Sequence, residues 1–99
     1  MIAVHPGEIL REEYMAPLNI TPNALALALG IPATRIHDIV HERRGISVDT
    51  ALRLARYFGT GLALWVNLQA QYESCLLEEK KHAEFSKITP HPSVLVATA

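Results

Sequence analysis

The chain has 99 residues, 49% of them apolar and 19% charged, a formal net charge of −1 and one cysteine. That composition builds one globular domain around one core and excludes a disordered chain. There is no run of about eighteen apolar residues to cross a bilayer, no basic-then-apolar leader and no second cysteine to pair with Cys75, so a cytoplasmic protein is expected.

In chain order, His5-Pro6-Gly7 leads into a first helix over Glu8 to Met15. Ile9, Leu10 and Tyr14 face inward, Glu8, Arg11, Glu12 and Glu13 stay wet, and Pro17 ends it. Thr21 then caps a helix of about two turns, with Pro22 at its first position and Gly30 at its end. Leu25 and Leu29 share one face, and Ala24, Ala26 and Ala28 leave the helix thin enough for close approach. After Ile31-Pro32 the next helix buries Ile36, Ile39 and Val40. Its opposite face carries Ala33, Thr34, Arg35, His37, Asp38 and His41, with no large apolar side chain. Two short helices joined through a glycine turn form the build of a helix-turn-helix. A supporting helix follows Arg43-Arg44-Gly45: Ser47 caps it, Asp49 suits its positive end, Leu52, Ala55 and Phe58 make its buried stripe, and Gly59 stops it.

From Thr60 a last, long helix places Leu64, Leu68 and Tyr72 at spacing four, with Trp65 beside them and Leu76 and Leu77 further along. Glu78-Glu79-Lys80-Lys81 reads as a solvated run. Beyond Ser86, Pro90 and Pro92 forbid helix. Residues 93–97 then read as a short strand in a partner or as a frayed tail, the second fitting a chain end better. The expectation is an all-α domain of five helices over residues 1–86, with a flexible, poorly structured tail over 87–99.

The net charge of −1 hides an uneven distribution. Residues 31–60 carry five arginines against three acids, whereas the segments before and after are each acidic on balance. Binding to nucleic acid depends on local Lys and Arg contacts to phosphate, so the basic surplus lies where the helix-turn-helix needs it.

Other chemistries have less to stand on. His37 and His41 at i, i+4 have the spacing of two ligands on one metal, but no third ligand is evident, and a groove-facing pair explains the same residues. Cys75 lacks a basic neighbour and reads as a packed thiol. Glu8, Glu12 and Glu13 read as a wet helix face. Trp65 and Tyr72 suit a core or an interface better than a base-stacking platform. Arg53 and Arg56 are equally well read as wet positions. No constellation supports an enzyme, and no cofactor is expected.

Three blocks, His5-Pro6-Gly7-Glu8-Ile9-Leu10, Arg44-Gly45-Ile46-Ser47 with Asp49-Thr50-Ala51-Leu52-Arg53-Leu54, and Trp65 to Tyr72, together resemble the HigA-type (VapI-like) addiction-module antitoxins. These belong to the phage-repressor-like (XRE) helix-turn-helix class, and the resemblance covers about the first three quarters of the chain. It implies a phage-repressor-like fold and an antitoxin that neutralises a cognate mRNA-cleaving toxin and represses their shared operon. The alternatives are a free-standing repressor, or an interaction module that has lost DNA binding. Two departures stand out: Pro22 replaces a glutamine common in relatives, which weakens a phosphate clamp, and Thr60-Gly61-Leu62-Ala63 lacks the usual start of the last helix.

A helix-turn-helix places its second helix in the major groove. Ala33, Thr34, Arg35, His37 and Asp38 are then the expected base readers, and Thr21, Asn23, His41, Arg43 and Arg44 the expected phosphate contacts. Four short helices cannot cover the whole last helix. Trp65, Tyr72, Cys75, Leu76 and Leu77 are therefore expected in a homodimer interface, with double-stranded operator DNA and a toxin as the other partners.

Overall fold

The computed structural model describes residues 2–94, and all regular structure among them is helical. His5 caps α1 (Pro6–Ile9): its Nδ1 accepts the Gly7 N–H at 2.8 Å, and Pro6 fills the first helical position, where no N–H is needed. The helix runs on as a π-helical segment, Leu10–Met15, a wider turn than a regular helix over Glu8 to Met15 would make, closed by the Ala16 N–H on Arg11 O at 3.0 Å. Asn19, at φ 53°, turns the chain back.

Thr21 Oγ1 accepts the Ala24 N–H at 3.1 Å to open α2 (Pro22–Leu29), and Gly30, at φ 70°, closes it in the left-handed conformation that glycine takes without strain. Next come α3 (Ala33–Val40) and α4 (Val48–Phe58), the latter capped by Ser47 Oγ on the Thr50 N–H at 3.2 Å. The long α5 (Leu62–Lys80) starts at Gly61 with no side-chain cap, and a single turn, α6 (His82–Phe85), follows it. Residues 86–94 hold only turns. The expected tail over 87–99 and the strand alternative at 93–97 run into residues 95–99, which lie outside the described residues.

Leu10, Leu25, Ile36, Ile39, Leu54 and Trp65 form the centre of the core, each 0% exposed. Full burial of side chains this size contributes about 1.5–3 kcal/mol apiece. Two expectations need correction. On α4 the buried face is Thr50, Ala51, Leu54 and Ala55, with Phe58 half-buried at its end, while Leu52 is 53% exposed. The set 51, 54, 55, 58 completes the i, i+3, i+4, i+7 stripe, and Leu52 falls one position to its side. Trp65 is not an interface residue: its ring packs against Tyr14 and Phe58 at centroid distances of 4.9 and 6.3 Å, and its Nε1 donates to Thr60 Oγ1 at 2.9 Å. A residue so enclosed in its own chain has no surface for a second copy.

His5 has no apolar pattern to announce it, yet it is only 4% exposed, edge-on to the Tyr72 ring of α5 at 4.7 Å. Burial pushes its imidazole below the ordinary histidine value of 6.5; Glu42 pulls the other way and Arg11 adds to the depression. A depressed value means that the unfolded chain binds the proton first. The stabilisation is therefore present above 6.5 and lost as pH falls through the folded value. The melting temperature should hold above about pH 7 and fall on acidification toward about pH 5. His5→Asn, which keeps an N-cap acceptor for Gly7, should flatten that dependence; an unchanged slope in the variant would mean that another group carries it.

Candidate nucleic-acid interface

α2 and α3 pack against each other through Leu25, Ala26, Leu29, Ile36 and Ile39, which leaves the outer face of α3 uncovered. Thr34 and His41 are exposed there, with Ala33, Arg35, His37 and Asp38 half-buried along the edges. Of the expected base readers, Thr34, His37 and Asp38 lie on this outer face, while Ala33 packs against the core at one edge and Arg35 turns toward Asp49 of α4 at the other. Asn23 reaches it from α2, where its Oδ1 accepts from His37 Nε2 at 3.1 Å. The two imidazoles of α3 lie nearly parallel with centroids 6.2 Å apart, and His41 Nδ1 donates to His37 O at 2.7 Å. Thr21, expected at a phosphate, accepts the Ala24 N–H as the N-cap of α2 and keeps its O–H as a donor, while Pro22 supplies no N–H.

The basic loop after α3 is fixed from three sides. α3 ends in a Schellman turn: Glu42 takes φ 62° and the Arg43 N–H bonds Asp38 O at 2.8 Å. A left-handed non-glycine residue is strained, and Arg11 supports it, ion-paired to Glu42 at 3.6 Å and donating to Val40 O. Asp38 and Arg43, expected in different roles, form an ion pair at 3.0 Å across this turn. Further on, Gln69 of α5 accepts the Ile46 N–H at 2.8 Å and lies so close to Gly45 that a Cβ there would fall 2.6 Å from its Nε2. The long helix therefore holds the loop that presents Arg43 and Arg44. Among the described residues, neither Arg44 nor Arg56 joins an ion pair.

Beside α3 lies a hollow lined by Arg35, Arg44, Asp49 and Arg53, with Pro32 and Gly45 at its rim. Arg35 leans toward α4, where its Nη1 meets Asp49 Oδ2 at 3.2 Å. Arg53 grips the same carboxylate through Nε at 2.9 Å and donates Nη1 to Leu29 O at 2.8 Å. The hydrogen bond from Arg53, joined by the charges of Arg53 and Arg35, holds the Asp49 carboxyl below its ordinary value. From the sequence, Arg53 stays undecided between a site residue and a wet position, and Asp49 reads only as an acid at the positive end of its helix. Their i, i+4 spacing was the only signal, and it is shared by many surface pairs.

On α5, Tyr72 and Cys75 line a groove with Ile2, Ala3, Val4 and Ile9. The segment before α1 thus covers part of what the last helix was expected to leave bare. Leu76 and Leu77 stay 44% exposed each. No helix among the described residues is long and apolar enough to cross a membrane.

A family model described as helix-turn-helix matches residues 10–65. The chain is 51% identical over 83 residues to virulence-associated protein I of Dichelobacter nodosus, covering 84% of this chain and 77% of that one. Among solved structures it is similar to the Pseudomonas aeruginosa antitoxin HigA with the higBA promoter, with a TM-score of 0.85 at 41% identity over 94% of this chain and 100% of that one. It also matches the P. aeruginosa protein PA4674 in complex with its operator DNA, with a TM-score of 0.88 at 43% identity over 92% and 99% of the two chains.

Proposed function

Because this chain belongs to the helix-turn-helix family and, within it, to the HigA-type antitoxins, we propose that it is a cytoplasmic, sequence-specific DNA-binding antitoxin. It represses its own operon and neutralises a toxin encoded beside it that cleaves mRNA. The observation that carries the DNA-binding part is the outer face of α3, free of large apolar side chains and flanked by Asn23 on one side and by Arg43 and Arg44 on the other. An α-helix fits the major groove, and the flanking groups then meet phosphates. Two similar proteins are described with promoter or operator DNA, which supports the same reading.

In this reading, residues 1–86 act as the binding domain, with 87–99 as an appended tail. Ala33, Thr34, Arg35, His37 and Asp38 face bases, while Thr21, Asn23, His41, Arg43 and Arg44 face the backbone. Arg35→Ala should cost about 1–3 kcal/mol, concentrated at one base position, whereas Arg43→Ala should weaken all sequences alike and lower the salt dependence by about one charge. Fluorescence anisotropy on single-base operator variants separates the two patterns, and wild-type affinity from both variants would defeat the assignment.

Two reading heads facing the same way need a two-fold dimer. The exposed Leu76 and Leu77, next in the chain after the groove residues Tyr72 and Cys75, support a homodimer through the far half of α5. The operator should then be palindromic, with half-sites roughly 34 Å apart or a multiple of it. Sedimentation at micromolar concentration should give a dimer that Leu76→Glu dissociates; a wild-type monomer would assign this patch to another partner. The toxin half of the proposal is tested by co-expression with the adjacent open reading frame. Growth rescued by this chain, with the two proteins co-purifying, supports it, and a neighbour that is harmless alone points to a free-standing repressor.

A further inference from the structure

A carboxylate on a face that meets phosphates works against binding, since like charges repel there with little protein between them. Asp49 is such a group. Its side chain is 57% exposed, and it lines the same hollow as Arg35, Arg44 and Arg53. A helix N-terminus favours an acid in its first turn, but that preference does not require the carboxylate to be gripped by Arg53 of its own helix and by Arg35 of α3.

The grip is specific. Arg53 holds Asp49 and α2 together: Nε and Nη2 reach the two oxygens of Asp49 at 2.9 and 3.5 Å, and Nη1 reaches Leu29 O, at the end of α2, at 2.8 Å. That ties α4 to α2 and leaves the carboxylate with one orientation. Arg35, by contrast, gives Asp49 only Nη1, at 3.2 Å, and its Nε and Nη2 have no partner among the described residues. Arg35 is therefore aimed without being consumed. A guanidinium on a loose stem would meet whichever phosphate came near; one held by its edge presents its remaining donors at a fixed place, as bidentate recognition of a guanine requires.

Resting on the reading of α3 as a DNA-reading helix, we propose that Asp49, locked by Arg53, is a positioning residue that aims Arg35 before DNA arrives and repels DNA of the wrong sequence. Both effects raise the preference for the operator over other DNA, one by ordering the reader and one by weakening sequence-independent contact.

The test uses the full chain and fluorescence anisotropy on two duplexes, the upstream DNA of its own gene and a scrambled duplex of equal length and composition, over a series of salt concentrations. Asp49→Asn keeps the size of the side chain and removes its charge. It should bind the scrambled duplex about threefold to tenfold more tightly, with a salt dependence steeper by about one charge, and its preference for the upstream DNA should fall about tenfold. Arg53→Lys keeps the charge but cannot span Asp49 and Leu29 O; it should lose preference with the salt dependence unchanged. A role in stability alone would not tighten binding to scrambled DNA. Unchanged preference in Asp49→Asn overturns the proposal while leaving the DNA-binding reading intact. Should Asp49→Asn fail to fold, unchanged preference in Arg53→Lys overturns it instead. A wild-type protein with no preference between the duplexes overturns both.

Discussion

Replacing Gly7 by alanine is expected to destabilise the fold by about 3 kcal/mol, the upper end of what an overpacked core costs. A Cβ at Gly7 would lie 1.8 Å from Ile39 O and 2.8 Å from Ile39 C. Both atoms are backbone, in the last turn of α3, and cannot swing aside as a side chain would. His5 Nδ1, at 3.0 Å from the same point, blocks the other direction. α1 must therefore back away from α3, which breaks the Arg11 contact to Val40 O and frees the strained Glu42 turn that places Arg43. For a chain of this size the loss corresponds to a drop of roughly 12–24 °C in melting temperature. Gly61 is the control: a Cβ there meets nothing within 4 Å, its φ is −75°, and alanine should cost under about 1 kcal/mol. Thermal unfolding followed by circular dichroism compares them, and a Gly7→Ala protein that melts with the wild type would refute the close approach of α1 to α3.

Trp65→Ala should cost more, about 3–5 kcal/mol, because it removes the largest fully buried side chain and leaves a cavity beside Tyr14 and Phe58. Domains of this size hold about 5–15 kcal/mol in total, so the variant keeps a reduced margin and should melt roughly 12–40 °C below the wild type. Thr60 Oγ1 also loses the indole donor that marks the start of α5, where no side-chain cap replaces it. Trp65→Phe keeps most of the packing with Tyr14 and Phe58 and should recover more than half of the loss. If Trp65→Ala melted with the wild type and merely changed the sedimentation of the protein, Trp65 would belong to an interface after all.

The parts legible in the sequence are those set by short-range rules. Thr21, Pro22 and Gly30 mark α2, and Ser47 and Gly59 mark α4, because each satisfies backbone groups within four residues of itself. The buried stripe of Ile36, Ile39 and Val40 is where the sequence placed it, which leaves α3 one possible outer face. What could not be read depends on contacts across the chain. The π-helical turn over Leu10–Met15 carries no residue signature. The burial of His5 needs Tyr72, 67 positions later, and the aim of Arg35 needs Asp49, 14 positions later. Leu52 was misplaced because stripes one residue apart share Ala55 and Phe58, and only the neighbouring helices decide between them.

The most direct measurement is a titration of the wild-type protein with the DNA upstream of its own gene, against a scrambled duplex, at about 50 and 200 mM salt. The expected result is a preference of about a thousandfold or more for the upstream DNA, with affinity for both duplexes falling steeply as salt rises. Equal affinity for the two duplexes at either salt concentration, or no binding to the upstream DNA at all, would contradict the assignment of α3 as a DNA-reading helix.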